Sequence, residues 1–187
     1  MIVVASYNDD VSFLDNEWLN EIPSTIYEKG RGDGWRQEIL SDESLKMTDF
    51  VQREGGTVYL PNIGQDGQVF LYHIVENYEN LADFNIFIAG DALNDRKHRQ
   101  KTPEYYYKKI LNIELANKPY VNIVETIGNY PLRSPAYTYF NNRIAEKWLE
   151  LFGEKCPSKF EPAIDSTFMA TKEAIRSHPK AFYEKAL

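Results

Sequence analysis

The sequence predicts an α/β fold, with a mostly parallel central sheet, helices on both faces and a more helical C-terminal half. Three observations predict it. Short β-branched or aromatic runs recur at 2–5, 24–27, 57–60 and 84–89. Each run ends in residues that favour turns, and helical apolar spacing follows the first and third. Buried parallel strands read as continuous apolar runs, and strand–loop–helix units in series build a parallel sheet.

The first strand, Ile2-Val3-Val4-Ala5, gives way to Ser6-Tyr7-Asn8-Asp9-Asp10. Phe13, Leu14, Trp18 and Leu19 then fall at helical spacing. Pro23 precedes the second strand, which Gly30-Arg31-Gly32-Asp33-Gly34 closes; 38–53 reads as loop or weak helix. The third strand stops at Pro61, before the loop 62–67. At about 100° per residue from Gly67, Phe70, Leu71, Ile74, Val75 and Tyr78 share one apolar helix face. The fourth strand ends at Gly90-Asp91. Beyond it, Tyr105, Tyr106, Tyr107 and Ile110 place a helix over 103–111, and 121–124 reads as a strand. Phe140, Ile144, Trp148 and Leu151 repeat at helical spacing, with Gly153 as a stop. Thr171 caps a short helix ending near Ser177, and Pro179 opens a last one through Tyr183. No repeat or linker interrupts the 187 residues, so one domain is expected.

Charge and motifs exclude several classes. With 21 Lys and Arg against 28 Asp and Glu, the net charge is −7. Nothing global neutralises phosphates, so no nucleic-acid partner is expected. No apolar run approaches the roughly 18 residues of a membrane span. The chain turns polar at once after Ala5, without a signal-peptide core, so a soluble, cytoplasmic protein is expected. Cys156 stands alone, which excludes an internal disulfide and favours an inert thiol. His73, His98 and His178 form no close pair, against a zinc hydrolase. A P-loop, a dinucleotide fingerprint and a nucleophile elbow are all missing. Arg31-Gly32-Asp33 is too short a match to an adhesion motif to carry weight.

Four segments fall where parallel strands end on one edge: 6–10, 28–34, 62–67 and 90–95. Ligands of open α/β sheets sit at that edge. These segments read either as ordinary polar βα loops or as a ligand cleft for a phosphorylated small molecule. Asp91, an acid ending an apolar strand, suits a divalent ion bridging two phosphates or a helix N-cap, with Asp95 near enough to support it. Arg96-Lys97-His98-Arg99-Gln100-Lys101 is the strongest basic run, a solvated helix end or a phosphate contact. His73 lies roughly 130° from the centre of the apolar face, on the flank with Val69 and Glu76, where a structural hydrogen bond outweighs a metal role.

Several stretches resemble an uncharacterised family. They are Val3 through Asp10, Ile26-Tyr27-Glu28-Lys29-Gly30, Leu60 through Gly67 with Leu71-Tyr72-His73-Ile74-Val75, Phe87-Ile88-Ala89-Gly90-Asp91, and Phe168 through Arg176 with Pro179, Phe182 and Tyr183. The chain is similar along nearly its whole length to a domain-of-unknown-function family, whose name implies no activity. A more distant resemblance is to the GT-A fold of nucleotide-sugar glycosyltransferases. It implies a nucleotide-binding-like half at 1–101 and an acceptor-side helical half at 102–187. By that resemblance Ser6, Tyr7, Asn8 and Glu28 face the nucleoside, and Asn62, Gly64 and Asp66 line the donor; Arg96, from the basic run, is the candidate phosphate or acidic-sugar contact on the ground of its charge. Asp91 takes the metal position for Mn²⁺ or Mg²⁺; Asp165, just before the tail stretch, is by position alone either the candidate acceptor base or a turn or cap residue. The partners implied are a nucleotide-sugar donor and a glycan or other hydroxyl acceptor. Two departures stand out: Ala89-Gly90-Asp91 has one carboxylate where the metal motif has two, and Glu28 replaces an Asn. The alternatives are a non-catalytic carbohydrate- or nucleotide-binding module and a carboxylate-pair glycoside hydrolase.

Overall fold

The computed structural model describes residues 1–17, 19–32, 47–92, 103–112, 117–123, 130–131, 138–157, 159–160 and 166–187. Strands β1 (Ile2–Ser6), β2 (Ser24–Glu28), β4 (Thr57–Tyr59) and β5 (Phe84–Ala89) form the parallel centre of a seven-stranded sheet. The order is β3-β4-β2-β1-β5-β9-β6, with β3 (Gln52–Glu54), β6 (Tyr120–Asn122) and β9 (Phe168–Thr171). β3 lies antiparallel on β4, and β9 antiparallel between β5 and β6. A separate pair joins β7 (Tyr130–Pro131) to β8 (Lys159–Phe160). Strands from both halves of the sequence therefore share one sheet.

The described α-helices are α1 (Gln65–Asn77), α2 (Pro103–Leu111), α3 (Thr138–Phe152), α4 (Lys172–Arg176) and α5 (Lys180–Ala186). Strand periodicity divides the core into two. Ile2, Val4, Ile86 and Ile88 pack with Phe13, Leu19, Tyr107 and Ile110 on one face. Val3, Ala5, Tyr27 and Phe87 pack with Val69, Phe70 and Ile74 of α1 on the other. Burying such side chains on both sides is the main stabilising term. No described helix is long and apolar enough to cross a membrane.

Some details differ from expectation. After β1 the described chain forms one 3₁₀ turn, Ser12–Asp15, instead of the helix expected there. The stretch 38–53 ends in a 3₁₀ turn at Met47–Phe50 and the short strand β3; residues 33–46 lie outside the described residues. Gly55 and Gly56, at φ 57° and 85°, join β3 to β4, since a two-residue hairpin turn of this hand needs positive φ at both positions. On α1 the buried face reaches the flank bearing Val69 and His73, while Leu71 and Val75 are only half-buried. At the C-terminal end, Thr171 Oγ1 accepts the Ala174 N–H at 3.1 Å and caps α4.

Candidate functional site at the carboxyl edge of the sheet

From β1 the chain moves outward through β2 to β4, then returns to place β5 on the other side of β1. That reversal makes the carboxyl ends of β1 and β5 a topological switch point, where open α/β sheets form a crevice. Three backbone hydrogen bonds cross this edge. Gly90 N–H donates to Ala5 O at 2.6 Å, Lys29 N–H to Ser6 O at 2.9 Å, and Leu60 N–H to Glu28 O at 3.0 Å. They hold the ends of β5, β1, β2 and β4 side by side, which brings together the described parts of the four segments singled out in the sequence.

The loop after β1 is fixed largely by one carboxylate. Glu28 Oε2 accepts the Ser6 hydroxyl at 2.6 Å, while Oε1 accepts the N–H of Asn8 at 2.9 Å and of Gly30 at 2.6 Å. Charge-assisted bonds of this kind are the stronger class. Asp9 Oδ2 accepts the Tyr7 N–H at 2.8 Å, and Ser6 Oγ accepts the Asp9 N–H at 3.3 Å. Asn8 is held at φ 56°, a left-handed conformation that Asn tolerates better than most residues. Two glycines leave room for this loop: a Cβ at Gly30 would overlap the Asn8 side chain, and one at Gly90 would press on Asp9. Tyr7, 45% exposed, presents its ring at the rim.

Across the edge, α1 starts with two successive left-handed residues, Gly64 at φ 65° and Gln65 at φ 54°. Asn8 and Gln65 are the non-glycine residues with positive φ among those described, and both lie at this edge. Such backbone costs of order 1–3 kcal/mol and gathers at functional sites. No side chain caps the helix at Gly64, and Asp66 in its first turn meets the positive end of the helix dipole. Lys29, only 4% exposed, points its Nζ to within 3.8 Å of Asp66 Oδ1. Burial pushes the Lys29 ammonium below its usual pKa, while the charges of Asp66, Asp9 and Glu28 pull the other way. Gln68 Oε1, one turn into the helix, is buried with no donor among the described residues.

Beneath the edge lies a polar pair with a different environment. Tyr27 Oη and His73 Nδ1 are 2.9 Å apart in the core. Asn77 Nδ2 lies 3.4 Å from the same nitrogen and donates to His73 O at 2.9 Å. Nδ1 thus faces two donors and acts as the acceptor of a neutral ring. Burial, helped by the chain's amino terminus, pushes His73 down to about 4 and so keeps it neutral, and burial raises the Tyr27 phenol well above its ordinary range. His73 makes the structural hydrogen bond expected of it.

Ser6, Asn8 and Glu28 meet in one network, with Tyr7 at its rim and Asp66 beside Lys29. Asn62 is half-buried in the loop ahead of Gly64, and Asp91 is exposed one residue past the Gly90 contact. Arg96, with the basic run and Asp95, and Asp165 lie outside the described residues. Lys29, Asp9, Gly30 and Gly90 were not picked out as site residues by sequence reasoning. Lys29 did carry a signal, because period-two alternation puts it on the face of buried Tyr27. Among the described residues no group of three or more His, Cys, Asp or Glu side chains converges to hold a metal ion.

No curated protein and no solved structure matches this chain. Over residues 1–187 it matches the family described as "Protein of unknown function (DUF3431)", and it belongs to that family.

Proposed function

We propose that the chain is a glycosyltransferase of GT-A type, which moves a sugar from a nucleotide-sugar donor to a hydroxyl acceptor at the carboxyl edge. One observation carries the reading: four strand ends are joined at a switch point around a loop held in a costly conformation. Tyr7, at the rim, offers a flat ring to the nucleoside, since every base has a π-face to stack. The start of α1, with Asn62, Gly64 and Asp66, offers backbone N–H groups and a carboxylate to the donor. Asp91, just past the end of β5, takes the divalent-cation position in this reading by the GT-A resemblance. Among the described residues no three His, Cys, Asp or Glu side chains converge on it to form a cation cage. Asp165 remains the proposed acceptor base, by position alone.

A thermal-shift screen of UDP-, GDP-, CMP- and dTDP-linked sugars, each with and without Mn²⁺, tests this reading, because a ligand of the native state raises the melting temperature by mass action. A rise with one nucleotide, followed by release of free nucleoside phosphate when hydroxyl acceptors are supplied, is the expected result. No shift at millimolar concentration contradicts it. A second reading, a binding module on the same scaffold, is favoured by the single acid at the end of β5. It predicts a shift without turnover.

A further inference from the structure

We infer that Glu28 is a positioning residue: it sets the shape of the loop after β1 and leaves contact with the ligand to that loop. The inference rests on the ligand site proposed above but assigns Glu28 a different part from the direct nucleoside contact that the resemblance implies.

Both carboxylate oxygens are engaged by the chain itself, Oε2 by the Ser6 hydroxyl and Oε1 by the N–H groups of Asn8 and Gly30. Three of the carboxylate's roughly four acceptor sites are thus taken by the chain itself, two on Oε1 and one on Oε2, so most of its bonding goes to holding the two loops. These three donors belong to the end of β1, to the left-handed residue beyond it, and to the glycine that follows β2. Removing the carboxylate therefore frees Asn8 from the bond that offsets its unfavourable φ, and it also unties Ser6, whose Oγ accepts from Asp9. Tyr7 and Asn8, the residues that reach the rim, follow from that geometry. An Asn at position 28 would be a methylene shorter, so the glutamate has the reach for both loops while its backbone stays in the β2 ladder.

The test compares Glu28→Gln with Glu28→Ala. The Gln carbonyl can still accept from Asn8 and Gly30, and its amide can donate to Ser6 Oγ. Amide hydrogen exchange followed by NMR reads the loop directly, and titration with the nucleotide-sugar that shifts the wild type reads the site. The expected result is that Glu28→Ala loses protection at Asn8 and Gly30 and binds about tenfold or more weakly, while Glu28→Gln restores most of both. Unchanged protection at both amides in Glu28→Ala would overturn the inference. So would a Glu28→Gln protein that keeps the protection yet binds as poorly as Glu28→Ala, because that pattern belongs to a direct contact. If no nucleotide-sugar binds the wild type, the proposed function fails while the exchange data still decide what Glu28 does. Should Glu28→Ala not fold, Ser6→Ala removes the Oε2 bond and the Asp9 N–H bond to Oγ while leaving both Oε1 bonds, and retained Asn8 and Gly30 protection with loss at Asp9 is the expected pattern; unaltered exchange at Asp9 would count against the network.

Discussion

Tyr27 and Glu28 are neighbours on β2, yet their hydrogen bonds serve different ends. Tyr27 points into the core and pairs with His73, side chain to side chain, across two ordinary elements of secondary structure. Glu28 takes backbone N–H groups from two loops and holds one of them at positive φ. The core pair satisfies groups whose burial would otherwise cost about 1–3 kcal/mol each. At the edge the same kind of bonding is used to keep a loop in a shape it would not adopt alone. The lesson is that the core can be tested by stability and the edge by ligand affinity, with little overlap between the two.

The largest effect belongs to the core. Phe87 is fully buried, stacked on Phe168 at 4.8 Å and tilted against Phe70 at 5.1 Å. Phe87→Ala is expected to lose about 3–5 kcal/mol in urea denaturation. A loss under about 1 kcal/mol would mean that this layer is not packed as described.

Next comes a pH dependence. His73 is held at about 4 against an ordinary 6.5, so the folded state favours the neutral ring. A depressed pKa contributes stability that is fully present above the unfolded value and is lost as pH falls through the folded one. Stability should therefore decline by about 3 kcal/mol between pH 6.5 and 4 on account of this group. Replacing His73 by Gln, which has no such titration, should flatten that part of the profile. An unaltered slope in the variant would assign the decline to carboxylates.

The edge responds differently. Gly30→Ala places a methyl group on the Asn8 side chain, which is exposed and able to swing aside. Stability should change by less than about 1 kcal/mol, while affinity for a nucleotide-sugar falls severalfold in the same titration. The smallest effect is a gain: Gln65→Gly relieves the left-handed residue at the start of α1 and should raise stability by about 1 kcal/mol at most. A loss there would mean that the Gln65 side chain contributes more than its backbone costs.

Much of this difference was legible in the sequence. β1, β2, β4 and β5 announce themselves as apolar runs broken by turn formers, and their carboxyl ends mark the edge before any coordinate is known. The stop at Gly153, at φ 68°, and the cap at Thr171 follow from local chemistry alone. What was hidden depends on partners distant in sequence. β3 has the polar sequence Gln-Arg-Glu and is a strand only because Gly55-Gly56 folds it onto β4; the glycine pair was the available cue. β9 takes its place from antiparallel pairing with β5 and β6, which no local pattern specifies. Buried Lys29 pairs with Asp66 from another element, and the N–H groups on Glu28 come from loops on both sides of β2.

The central claim is that the joined strand ends form a ligand site, and an NMR titration with the four nucleotide-sugars, with and without Mn²⁺, addresses it most directly. One nucleotide should move the amide signals of Tyr7, Asn8, Gly30, Gly64 through Gly67 and Asp91 together, while those around Tyr27 and His73 stay in place. Shifts confined to other parts of the molecule, or none at millimolar ligand, would contradict it.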